Sequence, residues 1–309
     1  MVMRAILSLV LLLTLSLGAV ACAGGSASGD GSDGAIAVVA SVYPLALAAS
    51  RVGGDQVTVT NLTPPGVEPH DLELTPDDLQ AIAEADLVVY LGGGFQPAVE
   101  DAVEAEATGV VIDALDGIEP RDAPPGGEHA DEAAIDPHVW LDPLLYSDIV
   151  DRIAAGLGEV RGGADGDRFT ANAEDVGVEL SALDDEFRGG LARCGTRVMI
   201  TSHAAFGYLA SAYDLEQRAI SGLAPESEPD PDRIAELAAE ASAEGVTTIF
   251  TEDLVPPDVA ETLAAEAGIR TAVLSPLEGL TDEQETAGDD YLSVMRRNLE
   301  TLRDGLDCA

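Results

Sequence analysis

Lysine is absent from this chain of 309 residues, so all 15 basic positions are arginine, set against 57 acidic ones for a formal charge of −42. A surface of that sign argues against nucleic acid and anionic lipid as partners, because their phosphates would be repelled rather than gathered. Cysteine is scarce: three occur, at 22, 194 and 308. They are too few and too far apart to build a metal site. Outside the leader, Cys194 and Cys308 are expected to pair as a disulfide that ties the C-terminus to the second half in an oxidising compartment. Long apolar runs are also missing. Residues 5–20 come nearest, but Ser8, Thr14, Ser16 and Gly18 interrupt them, and a membrane-spanning helix needs about 20 apolar residues. Histidine is rare enough that each of the four, His70, His129, His138 and His203, can be asked for its purpose.

The start of the chain reads as a targeting segment rather than as fold. Arg4 precedes the apolar run, which ends in Ala19-Val20-Ala21-Cys22. This end is similar to a bacterial lipobox, which implies a lipoprotein signal over residues 1–22 with Cys22 as the lipidated N-terminus. Residues 23–34, rich in glycine, serine and aspartate, are expected to form a flexible tether. The folded part would then be extracytoplasmic, anchored to the outer face of the cell membrane.

Beyond the tether the chain is patterned as α/β. Residues 35–41 (AIAVVAS) form a continuous apolar run, as in a strand buried on both faces of a parallel sheet. Residues 57–62 and 86–91 are the next strands, with short helices between them. Thr75-Pro76-Asp77-Asp78 carries a helix start, with Leu79, Ile82 and Ala83 as the buried stripe behind it. A helix over about 144–160 is broken by Gly162-Gly163. Phe169, Val176, Leu180, Leu183, Phe187 and Leu191 then mark a long helix over about 167–192, which at ~1.5 Å per residue spans about 40 Å and is long enough to connect two lobes. The second half echoes the first. Residues 196–201 and 246–251 are strands, a helix is expected to begin at His203, and Ile234, Leu237 and Ala238 repeat the stripe of Leu79, Ile82 and Ala83. The alternation predicts two α/β lobes, each a parallel sheet flanked by helices, with boundaries 35–163, 164–192 for the linking helix, and 193–309.

Asp136-Pro137-His138-Val139-Trp140-Leu141-Asp142-Pro143 is the most constrained stretch. It sets one histidine and the single tryptophan between two aspartate–proline steps, where proline stiffens both itself and its predecessor. His70 lies 68 residues before His138 and His203 lies 65 after it. All three stand in loops at strand ends before helix starts, where an α/β sheet exposes its ligand-binding edge. Three imidazoles converging there point to one metal site and favour zinc over the hard, oxygen-seeking ions.

Pro65-Gly66-Val67-Glu68-Pro69-His70-Asp71, the 136–143 stretch and Thr201-Ser202-His203-Ala204-Ala205-Phe206-Gly207-Tyr208 together resemble the signature segments of the zinc-binding (cluster A-I) solute-binding proteins of metal ABC transporters. The resemblance covers the mature chain, including Ser41-Val42-Tyr43-Pro44-Leu45 and Phe250-Thr251-Glu252. It implies two lobes joined by one long rigid helix, with metal held between them by His70 and His138 from the first lobe and His203 from the second. Manganese-binding relatives carry glutamate in place of His203, so the resemblance also favours zinc. In the segment Val273-Leu274-Ser275-Pro276-Leu277-Glu278-Gly279 relatives often supply an aspartate, where this chain has Ser275. Water, or Glu252 swinging in, is therefore expected to complete the tetrahedron, with loop fixing as the other role for Glu252. Relatives also carry a His- and acid-rich loop. Here Glu128-His129-Ala130-Asp131-Glu132 occupies that place, and His129 is read as a solvated loop residue or a metal shuttle. Trp140, Tyr208 and Tyr43 are expected to pack around the site.

The function implied is a monomeric, lipid-anchored zinc-binding protein that delivers its ion to the permease subunits of an ABC transporter. A manganese or iron carrier, or an adhesin, of the same fold is the alternative. A zinc-dependent hydrolase is a third reading, kept alive by an open fourth position but lacking HExxH and G-x-S-x-G.

Overall fold

The computed structural model describes residues 34–121, 135–225 and 231–309. Cys22, the rest of the leader, the tether up to residue 33 and His129 lie outside the described residues.

The first lobe runs β1 (Ile36–Ala40), α1 (Tyr43–Gly53), β2 (Val57–Asn61), α2 (Pro76–Glu84), β3 (Leu87–Tyr90), α3 (Pro97–Glu106), β4 (Val110–Asp113) and α4 (Pro143–Val160). Helix α5 (Ala164–Gly190) leads to the second lobe. That lobe comprises β5 (Val198–Thr201), α6 (Gly207–Ala212), β6 (Glu216–Ala219), α7 (Pro231–Ala243), β7 (Thr248–Thr251), α8 (Asp258–Ala267), β8 (Arg270–Val273), α9 (Asp282–Ala287) and α10 (Tyr291–Gly305). Each lobe is built on a parallel four-stranded sheet, in the orders β2-β1-β3-β4 and β6-β5-β7-β8. The register sets Val38 against Leu87 and Val59 in the first sheet, and Ile200 against Ile249 in the second. The two orders are the same, which is the physical content of the internal echo: Ile82 on α2 and Leu237 on α7 are both fully buried at corresponding positions.

Three apolar clusters explain the layering. Helices α2 and α3 cover the outer face of the first sheet through Ile82, Val99 and Val103, and α7 and α8 cover the outer face of the second through Leu237 and Leu263. The remaining cluster is shared. It runs from Val38 and Leu45 through Tyr146 and Ile149 on α4, along Phe169, Val176, Leu180, Leu183 and Phe187 on α5, and into Tyr291, Met295 and Leu302 on α10. Helix α5 therefore buries the stripe expected of it and seats both lobes. Arg51 of α1 and Arg296 of α10 also reach it, pairing with Glu179 at 2.9 Å and Glu186 at 3.0 Å. Such exposed pairs add little beyond the packing. Cys194 and Cys308 form a disulfide that closes the second lobe.

Several sequence expectations change. Leu79 is 40% exposed, because α2 turns only Ile82 fully inward. Strands β4 and β6 were not anticipated: both are sheet edges, and EQRA in β6 lacks the apolar run that a doubly covered strand needs. The helix expected from His203 begins only at Gly207, which leaves His203 in a loop. Among the described residues, no helix is long and apolar enough to cross a membrane.

Candidate metal centre

The two aspartate–proline steps each perform a local task. Asp142 accepts hydrogen bonds from the backbone N–H groups of Leu144 at 2.9 Å and Leu145 at 3.4 Å, capping α4, whose first residue is Pro143. Asp136 does the same kind of work one step earlier. Its Oδ1 accepts from the His138 backbone N–H at 2.9 Å and lies 2.8 Å from the ring Nδ1. With Nδ1–H donating to that carboxylate, Nε2 of His138 is turned inward to Glu278 Oε1, 2.8 Å away, and would offer its lone pair to an ion once its proton is displaced, the arrangement that raises the basicity of an imidazole ligand. His203 follows β5 and Glu252 follows β7, so both stand at the carboxyl ends of the two central strands, at the switch point of the second sheet. His70 stands in the loop between β2 and α2. That loop is stiffened by Glu68, whose Oε2 accepts from the backbone N–H groups of His70 at 3.0 Å and Asp71 at 3.3 Å.

The structure brings His70, His138 and His203 together and adds Glu278 to them. One ligand atom from each lies within 4.8 Å of all the others. The three Nε2 atoms converge on Glu278 Oε1, at 3.3 Å for His70, 2.8 Å for His138 and 3.4 Å for His203. Donors held about 2.0–2.1 Å from a tetrahedral zinc stand about 3.3 Å apart, so these separations suit the edges of a zinc tetrahedron. His138 and His203 are wholly buried and Glu278 is 1% exposed. Neither ring nitrogen of His203 has an aligned hydrogen-bond partner among the described residues, nor has Glu278 Oε2. Buried polar atoms of that kind are costly unless a ligand completes them. Phe95 and Trp140 form the apolar wall, with ring centroids 4.7 Å from His70 and 5.3 Å from His138.

Glu252 and Ser275, the two residues brought to the fourth position by sequence, serve otherwise. Glu252 Oε1 accepts from the His203 backbone N–H at 3.1 Å and lies 2.7 Å from Nδ1, on the far side of the ring from the cluster. It acts on the imidazole from behind and does not face the other histidines. The Ser275 hydroxyl donates to Asp253 at 3.2 Å and accepts from the Leu277 N–H at 3.3 Å. The chain then turns through a left-handed residue, Leu277 at φ +54°, and this turn carries the next side chain, Glu278, into the cluster. The sequence offered one hint, an isolated carboxylate in the otherwise apolar run Leu274-Ser275-Pro276-Leu277-Glu278-Gly279. Tyr208 packs beside the site, its hydroxyl accepting from Arg121 N–H at 3.3 Å and donating to the Glu119 carbonyl at 3.4 Å. Tyr43 stands apart from it, on α1, beside Asp290 and Tyr291.

Charge in the cluster is balanced without lysine or arginine. Burial disfavours a charged His203, but the carboxylates of Glu252 and Glu278 outweigh it and hold its pKa well above the ordinary 6.5. The same contest, with burial opposed by Asp136 and Glu278, leaves His138 raised. His70, with Glu278 alone to help, is lowered by burial. Glu278 is likewise penalised by burial, yet the imidazoles of His138, His203 and His70 gathered around its Oε1 take it well below the usual carboxylate range. Nearby Glu68 is pushed up to about 7, first by burial and then by the charge on Glu278.

The model of the family described as zinc-uptake complex component A, periplasmic (ZnuA), matches residues 38–305. The chain is 36% identical over 296 residues to the zinc-binding protein AdcA of Streptococcus pyogenes, covering 90% of this chain and 57% of that one. It thus spans little more than half the length of the AdcA relatives. It is 35% identical over 301 residues to the high-affinity zinc uptake system protein ZnuA of Bacillus subtilis, covering 93% of each. Among solved structures it is similar to the Zn(II)-bound ZnuA-like domain of Streptococcus pneumoniae AdcA, with a TM-score of 0.75 and 34% identity, over 89% of this chain and all of that domain. The extent of the family match and of the identity to full-length ZnuA shows that the chain belongs to the family of zinc-uptake complex component A.

Proposed function

We propose that this chain is an extracytoplasmic zinc-binding protein that captures Zn²⁺ between its lobes and delivers it to the permease of an ABC transporter. The observation that carries the reading is the convergence of three Nε2 atoms and one carboxylate oxygen, all within 4.8 Å, from loops of both lobes. In this reading His70, His138, His203 and Glu278 are the ligands. Three neutral imidazoles select zinc over manganese by donor softness. The single carboxylate offsets half of the ion's charge, and Asp136 and Glu252 behind the rings offset more. Four protein donors make a closed set, which suits holding an ion. Catalytic zinc keeps a position open, so the hydrolase reading loses its main support.

The supporting organisation is a lipoprotein signal over 1–22, lipid on Cys22, a tether over 23–34, lobes over 35–163 and 193–309, and the linking helix over 164–192. His129 is either a solvated residue or a metal shuttle, and the protein acts as a monomer.

The direct test is competitive titration of the chelator-stripped mature protein with Zn²⁺ and Mn²⁺. One tight zinc per chain that excludes manganese is expected. His203→Ala and Glu278→Gln should each weaken it by at least about the 10- to 100-fold typical of outer-shell losses, since they remove ligands outright. Manganese outcompeting zinc would make the ion wrong, and the absence of any tight metal would remove the site.

A further inference from the structure

Glu278 reaches the histidines from a backbone held in an unfavourable conformation one residue earlier. Leu277 is fully buried with φ at +54°, a left-handed state that a residue with a branched side chain keeps only where its surroundings impose it. Two clamps impose it here. From the same lobe, Asn298 on α10 accepts from Ser275 N–H at 3.0 Å and donates to the Ser275 carbonyl at 2.7 Å, while the Ser275 hydroxyl takes the Leu277 N–H. From the other lobe, the Trp140 indole N–H donates to the Pro276 carbonyl at 2.8 Å. The Gly66 N–H, in the loop that carries His70, donates to the Leu280 carbonyl at 2.8 Å. Trp140 is wholly buried, and its carbonyl accepts from the Tyr291 hydroxyl of α10 at 2.6 Å, a further bond across the lobes. It lies two residues past His138, in the 3-10 turn Val139–Leu141. One short piece of the first lobe therefore supplies an imidazole and fastens the loop that brings the carboxylate.

We propose that Trp140 is a positioning residue for the metal site: its indole N–H holds Pro276-Leu277 in the turn that aims Glu278 at the histidines, so the carboxylate is presented only while the lobes are apposed. The inference rests on the four-ligand reading given above. A small separation of the lobes parts the indole N–H from the Pro276 carbonyl, and the turn at Leu277 loses its outer clamp. Glu278 then withdraws with the second lobe, while His70 and His138 stay on the first. The ion loses its one anionic ligand through the loss of a neutral hydrogen bond some distance from it.

Trp140 is the chain's single tryptophan, so its indole N–H gives one resonance in ¹⁵N-labelled mature protein. Zinc is expected to slow exchange of that proton with solvent by about tenfold or more, the change that favouring the closed state by one hydrogen bond's worth of energy would give. Glu278→Gln should remove most of that protection. An indole proton whose exchange ignores zinc would overturn the proposal, and this measurement needs no substitution at 140. The second test compares Trp140→Phe, which keeps a ring and deletes the donor, in wild-type and Glu278→Gln backgrounds. Zinc dissociation into a chromophoric chelator is the readout. About tenfold faster release is expected in the wild-type background and less than about twofold in Glu278→Gln, because a residue that acts through Glu278 has nothing left to act on. Equal acceleration in both backgrounds would make Trp140 a packing residue only. Failure of the unmodified chain to hold zinc is a separate outcome, which would remove the four-ligand reading itself and the proposal with it.

Discussion

Protons and zinc compete for the same three nitrogens, and the direction of the competition differs from group to group. His203 and His138 are raised above 6.5 by their carboxylates, so they keep their protons to higher pH than free imidazoles and an incoming ion must displace them. Zinc affinity therefore falls as pH drops, and the fall begins above pH 6.5. The stability of the metal-free fold runs differently. A raised histidine contributes fully below its unfolded value of 6.5 and loses that contribution as pH rises through the folded value. Glu278, depressed below 4.5, contributes above that value and loses it as pH falls through the folded one. Calorimetric titration in buffers of different ionisation enthalpy should show proton release on zinc binding at pH 7. The release should be smaller in Glu252→Gln, which removes the carboxylate 2.7 Å from His203 Nδ1. At this scale the three histidines were legible because each stands in a proline- or serine-marked loop ahead of a helix. Glu278 was not, because its direction depends on the sign of φ at Leu277, and leucine gives no signal for the left-handed region.

At the scale of elements, legibility followed burial. Strands β1, β3, β5 and β7 are central in their sheets and almost wholly buried, so their apolar runs stood out in the sequence. The edge β2 was also read, from its alternating valines and threonines, whereas the edges β4 and β6 expose part of each strand and carry mixed composition. Helix α5 was legible because its stripe of seven buried residues, Phe169 to Phe187, keeps one face throughout. The start of α6 was not, since Ser202-His203 imitates a cap while the chain spends four more residues placing His203 before the helix forms. The disulfide between Cys194 and Cys308 closes a segment with a sequence separation of 114 that contains the whole second sheet. Replacing both cysteines by serine should cost about 2–4 kcal/mol, the usual range for a native cross-link. Urea unfolding measures the loss. Zinc affinity should change little, because the bond lies at the end of the lobe away from the ligands' loops.

The molecule as a whole is held by the cluster that α5 shares between the lobes. Residues 35–192 and 193–309 each contribute to it, and either alone would expose the apolar faces of α5 or α10 to water. Thermal unfolding of the metal-free chain should therefore be one cooperative transition, with Trp140 fluorescence and far-ultraviolet dichroism coincident. Zinc should raise its midpoint by mass action. Two separate transitions would mean that the lobes have independent interiors. The two-lobe plan itself was visible in the repeated stripe of the α2 and α7 helices. The continuity of the interior was not, since no local pattern distinguishes a residue that faces its own lobe from one that faces the other.

That continuous interior also limits how an ion can leave. Val139, Trp140, Phe206 and Leu277, which border the histidines and Glu278, belong to the same apolar mass as α5. A jaw that swung wide would wet it. If the chain carries zinc as proposed, a slight parting at the rim is the expected exit. An acceptor would then be expected to draw the zinc across by exchange of ligands at that rim, one bond forming as another breaks.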